Sequence, residues 1–368
     1  MRGKEVEREA WVYYRMIYME SSPKLIAVHT SMKAVSVYKV TRNICDVVLE
    51  DGIICDIVPL TELDHHIYTS HNGSLIFIPF DLSFCLNYFY HAWKWIYEHR
   101  KRVAFYTTIE GDVMNPSMYE WIRRDLRFIA NSKYTETKLR TAGFNVNEVI
   151  YHGIDLDLYD YRKYDEDAKM FREKLGLSKN DFVVLYIASS HPRKCHDLAR
   201  QTALILEKID PSIKLVVLTD ENASALYRDS KNVVVLTDFG GFEESNMPVL
   251  YKSADIYAHF SCSEGFGLPV LEALSMGKMV VHPNYIPLNE ITTPDTSVRV
   301  KVIKRRYIEG GGSAIVYELN IYDPSKFAEA IVEARKIVES EPSLPDRCRE
   351  RASYFDMRKI YKSFVKYF

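Results

Sequence analysis

Short apolar runs alternate with longer amphipathic ones along most of the chain, and the alternation predicts strands and helices in turn. KLIAVHT (24–30), SLIFIPF (74–80), RVAFYTT (102–108), LRFIANS (126–132) and NEVIYHG (147–153) are β-branched or aromatic and end at turn residues. Runs of this kind read as strands buried on both faces of a parallel sheet. SFCLNYFYHAWKWIYEHRKR and SKYTETKLRTAG lie between them and have helical periodicity with charged ends. The segment DYRKYDEDAKMFREKLGLSKND (160–181) is charged and poor in apolar residues, so it reads as a linker with a short helix. Beyond it come DFVVLYIAS (181–189), IKLVVLT (213–219), NVVVLTD (232–238), DIYAHFS (255–261) and KMVVHP (278–283), separated by helical LARQTALILEKI, MPVLYKS and LPVLEALSM. DPSKFAEAIVEARKIVES is an amphipathic helix with Asp323 as N-cap and Pro324 in its first turn. From about Pro345 the chain is helical and basic.

Two βα series joined by a linker predict an α/β protein of two doubly wound, Rossmann-like domains facing across a cleft. The expected boundaries are 1–160 for the first domain and 161–344 for the second, with 345–368 as a C-terminal helix packing back on the first. Ligands in such sheets sit at the carboxyl ends of the strands, which places the expected site in the cleft.

Composition changes this picture little. At 368 residues, with 47% hydrophobic and 13% aromatic residues, the chain can fill two cores. Lysine plus arginine (48) nearly balance aspartate plus glutamate (50), which argues against a dedicated nucleic-acid binder. Six cysteines, at 45, 55, 85, 195, 262 and 348, show no CxxC pair and no dense spacing. They are expected to be mostly reduced thiols of a cytoplasmic protein. The N-terminal segment lacks a continuous apolar run, and no window offers the ~18 apolar residues of a membrane span. The expectation is a protein neither exported nor transmembrane.

SCSEGFGLPVLEALSMGKMVV (261–281) carries the most chemistry. Ser261 ends a strand, and Gly265 and Gly267 let the backbone turn tightly against a ligand. Pro269 suits a helix start and Gly277 a helix stop, which delimits a helix from Leu268 to Met276. Its N-terminus offers unpaired N–H groups and the positive end of the dipole to a phosphate. Glu264 in the loop and Glu272 one turn into the helix can each accept paired hydrogen bonds from a diol. A phosphate flanked by two diols describes a nucleotide sugar.

EGFGLPVLE resembles the hallmark of the family 4 retaining glycosyltransferases of the GT-B fold, in which seven residues separate two glutamates. The likeness extends through ALSMGKMVV to NEI (289–291), where the family often has a glutamate opening another helix. It also takes in YKSADIYAHFSCSEGFG, YIASSHPRKCHDLARQTALIL, YTTIEGDVMNP, ANSKYTETKLRTAGF and VIYHGIDLDLY, covering roughly 102–335. The resemblance implies that Glu264 holds the donor sugar hydroxyls and Glu272 the ribose diol. The amides of Gly265, Phe266, Gly267 and Leu268 would face the sugar and diphosphate. Lys194 matches the family lysine that neutralises the diphosphate; the usual arginine five residues earlier is Ser189 here, and Arg193 is the candidate replacement. The implied activity is a metal-independent transfer from a nucleotide diphosphate sugar, with no other cofactor, to a glycan, lipid, protein or small-molecule acceptor.

Other residues are weighed beside these. Glu110 follows a strand at its carboxyl end and is expected to enter the cleft as a catalytic or acceptor-site residue, with a structural carboxylate as the alternative. His152 and Gly153 occupy the domain crossover, as ligand contacts or as a hinge. DLD (155–157) looks like a DxD metal motif but follows HGID directly in the linker, so it is rejected as a metal site. DHHIYTSH (64–71) is a polar loop rather than a zinc site, lacking a CxxC or HExxH frame. LNYFYHAWKWIYEHRKR (86–102) is a buried helix with a basic end or a peripheral membrane contact, and RVKVIKRR (299–306) a solvated edge strand or a basic patch. A nucleotide-sugar epimerase of the same fold, and a non-catalytic sugar-nucleotide-binding protein, stay open beside the transferase.

Overall fold

A computed structural model describes residues 24–29, 35–59, 74–78, 93–310 and 315–367. The histidine-rich loop 64–71, Cys85 and the first part of 86–102 lie outside the described residues.

The first half is one sheet with helices around it. β1 (Lys24–His29) leads through α1 (Val35–Glu50) to β2 (Ile54–Pro59), followed by β3 (Ser74–Ile78), α2 (Trp93–Glu98) and β4 (Val103–Thr107). The short β5 (Gly111–Val113) stands outside this sheet; β6 (Arg127–Ala130), α3 (Lys133–Thr141) and β7 (Val146–Val149) complete it. The strands run parallel in the order β2-β1-β3-β4-β6-β7. The periodicity of 35–59 escaped the sequence reading because α1, VSVYKVTRNICDVVLE, is rich in β-branched residues of weak helix propensity. Burial of Val37, Val40, Ile44, Val47 and Val48 makes it a helix all the same.

The second half repeats the plan after α4 (Asp165–Lys174), the short helix expected in the linker. β8 (Phe182–Ile187), α5 (His196–Ile209), β9 (Ile213–Leu218), β10 (Val233–Leu236), α6 (Met247–Lys252), β11 (Ile256–Ala258), α7 (Leu268–Ser275), β12 (Met279–Pro283), α8 (Leu288–Ile291) and β13 (Ser297–Val300) follow in turn. Their parallel sheet has the order β10-β9-β8-β11-β12-β13. From β8 the chain crosses to one side, and from β11 to the other. The loops after β8 and β11 therefore flank the switch point, where α/β sheets bind ligands.

Two features join the halves. β14 (Val302–Glu309) and β15 (Ile315–Tyr322) form a hairpin, and β15 also pairs antiparallel with β5, bringing Tyr317 opposite Gly111. The 299–306 run is thus split between β13 and an exposed edge strand, β14. After α9 (Pro324–Ser340), capped by Asp323 through the Ser325 amide at 2.8 Å, come α10 (Leu344–Ser353), α11 (Met357–Ile360) and a 3-10 segment, Tyr361–Tyr367. This last segment lies against the first sheet. The Gly153 amide donates to the Tyr361 hydroxyl at 2.9 Å, and the Phe364 ring meets Tyr106 edge-on at 5.0 Å. Among the described residues no helix is long and apolar enough to cross a membrane.

Phe364 is fully buried. Phe364→Ala should lower unfolding stability by about 3–5 kcal/mol, as for other large-to-small core changes; denaturant unfolding indistinguishable from wild type would show that the terminal segment is only loosely docked.

Candidate functional site

The EGFG turn is built as the sequence requires. Gly267 caps α7 at φ 114°, a region L-residues avoid, and Gly277 closes it at φ 68°. A Cβ on Gly265 would collide with Thr108 Oγ1 and the Ile109 backbone, so the turn approaches the first domain as closely as a glycine allows. The Gly265 carbonyl accepts from Ser132 Oγ at 2.8 Å, and Ser263 Oγ donates to the Glu110 carbonyl.

The loops after β8 and β11 bring the charged residues together. Lys194 Nζ lies 2.5 Å from Glu264 Oε1 and Arg193 Nη1 3.2 Å from Glu264 Oε2. The other arm of Arg193, Nη2, reaches Glu110 Oε1 of the first domain at 3.1 Å. All four side chains are almost completely buried. Burial pushes the Glu264 carboxyl up, but Lys194 and Arg193 outweigh it and hold the group well below its ordinary value. Cys195, next to Lys194, is disulfide-bonded to Cys262, two residues before Glu264. Cys45 and Cys55 are joined likewise. This corrects the expectation of mostly reduced thiols: spacings of 67 and 10 residues reveal nothing, whereas the fold brings the Cα atoms to 6.1 and 5.2 Å. Cys348 is buried and free.

Glu272 projects from α7 with a different set of partners. Its Oε1 accepts from Lys39 Nζ of α1 at 2.6 Å and its Oε2 from the Tyr251 hydroxyl of α6 at 2.7 Å. Lys39 also donates to the Tyr159 hydroxyl at 2.7 Å and lies 3.1 Å from Glu244 Oε1, which Arg42 pairs in turn. Glu110, Arg193, Lys194, Glu264, Glu272 and residues 265–268 all line one interdomain cavity of about 570 Å³.

His152 lines the same cavity. The Tyr106 hydroxyl donates to the Ile150 carbonyl (2.9 Å), so His152 Nδ1–H donates to it (2.7 Å) and Nε2 accepts from Asn131 Nδ2 (3.1 Å). Ser189, where the arginine is missing, contributes its carbonyl to His196 Nε2 at 2.9 Å. Glu290 of α8 caps the opposite domain, accepting from the Lys133 and Tyr134 amides of α3 at 3.0 Å each. Asp155 and Asp157 both face Arg358, at 3.7 and 3.1 Å. The sequence reading did not find Lys39, Tyr159, Glu244, Tyr251 or His259, whose Nε2 lies 3.2 Å from Glu264 Oε1. A lysine within an apolar helical stretch was the one signal for Lys39.

Residues 167–301 match the family described as Glycosyl transferases group 1. Over 340 residues the chain is 24% identical to "Uncharacterized glycosyltransferase 335" of Sulfolobus islandicus rod-shaped virus 1, spanning 91% of this chain and 98% of that protein. Over 149 residues it is 28% identical to the D-inositol 3-phosphate glycosyltransferase of Salinispora arenicola, spanning 36% and 33% of the two chains. Anabaena Alr3699/HepE, solved in complex with UDP-glucose, superposes with a TM-score of 0.70 at 17% identity, covering 93% of this chain and 98% of that one.

Burial holds the His152 and His282 imidazoles at about 3, against an ordinary 6.5. Between those values the unfolded chain takes up protons that the native protein refuses, so this contribution to stability is complete above pH 6.5 and declines as pH falls towards 3. The slope should approach roughly 1.4 kcal/mol per pH unit for each histidine, and His282→Asn should flatten it; an unfolding free energy independent of pH from 6.5 to 5 would contradict the burial argument. The matched segment and the superposition together show that residues 167–301 are similar to the group 1 glycosyltransferases and that the chain has the GT-B fold.

Proposed function

We propose that the protein transfers a sugar from a nucleotide diphosphate sugar to an acceptor with retention of anomeric configuration. The observation that carries this reading is a single cavity walled by both motif glutamates and both basic residues. Glu272 takes the ribose diol and Glu264 the hydroxyls of the transferred sugar. The Gly265, Phe266, Gly267 and Leu268 backbone at the α7 N-terminus faces the sugar and diphosphate, where amide donors and the helix dipole favour an anion. A nucleotide-sugar donor is further supported by the Anabaena structure, which holds UDP-glucose.

In the reaction the bond from anomeric carbon to phosphate oxygen breaks on the face where the acceptor oxygen bonds. The electron pair leaves with the diphosphate, and the acceptor proton passes to a phosphate oxygen. Lys194 and Arg193 offset the developing charge from within a buried site, where such contacts are strongest, and make a metal ion unnecessary. Glu110 stands across the cleft on the acceptor side, tied to Arg193.

Lys194→Ala and Glu264→Ala should each slow transfer about 100-fold or more, the scale for losing one charged transition-state contact; near-wild-type transfer in both would refute the assignment. Incubation with donor alone separates the transferase from an epimerase, because inversion of a sugar stereocentre without an acceptor would remove the transferase reading.

A further inference from the structure

We propose that Lys39 is a donor-positioning residue contributed by the opposite domain: together with Tyr251 it orients the Glu272 carboxylate so that one acceptor position on each oxygen meets a vicinal diol. This rests on the reading of Glu272 as the ribose carboxylate. An ionised carboxylate has two oxygens and about four lone-pair positions. Lys39 occupies one on Oε1 at 2.6 Å, and the Tyr251 hydroxyl occupies one on Oε2 at 2.7 Å. One position remains on each oxygen, and Glu272 lines the cavity. Two acceptors on adjacent oxygens match the two donors of a cis-diol.

Lys39 is well fixed for this task. It is only 7% exposed. Its ammonium has three donors, and three acceptors surround it: Glu272, the Tyr159 hydroxyl at 2.7 Å and Glu244 at 3.1 Å. An ammonium held on three sides cannot swing away without leaving the buried Glu272 carboxylate without its cation, which costs more than losing an exposed pair would. Lys39 belongs to α1 of the first sheet and Glu272 to α7 of the second. The carboxylate is therefore oriented only when the two domains face each other, and recognition of the ribose by one domain depends on the other.

The test is calorimetric titration of the full chain with UDP, GDP and ADP, then with the 2′-deoxy counterpart of whichever binds tightest. Wild type should prefer the ribonucleotide about tenfold or more, the loss expected when a charged acceptor forfeits a hydrogen bond. Lys39→Met should weaken ribonucleotide binding by about tenfold and change 2′-deoxynucleotide binding much less, so that the preference collapses. Tyr251→Phe, which removes one hydroxyl and no charge, should narrow it in the same direction and decides the matter if Lys39→Met does not fold. An undiminished preference in the folded variants overturns the positioning role while leaving the donor site intact. Equal binding of both forms by wild type removes the ribose role of Glu272, and with it this inference. Binding of none of the three nucleotides removes the donor-site reading itself.

Discussion

A carboxylate withdrawn from water must be matched by positive charge or lose its ionisation, and Glu264 imposes that requirement on the cleft. Its cationic partners are about 70 residues away in sequence and come within reach because β8 and β11 are neighbours in the sheet. Arg193 carries two arms into the same low-dielectric space and takes Glu110 from the other domain as its second partner. Charge balance begun in one domain is therefore completed in the other. Lys39 and Arg42 with Glu244 and Glu272 form a second set of two cations and two carboxylates, again drawn from both domains. The walls are thus near neutrality although densely charged. On the proposed reading, an incoming diphosphate would meet paired groups that must exchange partners, rather than an open positive field, which favours selectivity over raw attraction.

The order of buried strands was readable because parallel sheets covered on both faces leave near-continuous apolar runs; β8, FVVLYI, is buried at every residue. The limits of α7 were readable because Gly267 and Gly277 have conformations that the residue type itself announces. Strand pairing across the domains left no such trace. β5 is three residues long, and its partner lies some 200 positions further on, so only the folded chain reveals that Gly111 adjoins Tyr317.

The site divides in the same way. Glu264, Arg193, Lys194 and Glu110 sit in the loops that follow strands, and Glu272 on the helix that the glycine turn opens, positions whose chemistry follows from local pattern. Lys39 and Tyr251 sit on helices, among apolar neighbours, and their importance comes from what faces them. The cysteines were misread for a related reason. Pairing depends on which loops the sheet order brings together, and Cys195 and Cys262 follow β8 and β11, the two adjacent strands at the switch point.

The return of residues 361–367 to the first sheet bears on the order in which the molecule can be made. Domains fold largely as they emerge from the ribosome, the N-terminal one first. The first sheet is complete in sequence by Val149, yet Tyr106 and Gly153 take Phe364 and Tyr361 as partners. A nascent chain must carry that apolar face uncovered while the whole second domain is synthesised. The first domain to begin folding is consequently the last to be sealed, and the cleft between the domains takes its final form only after residue 364 has emerged.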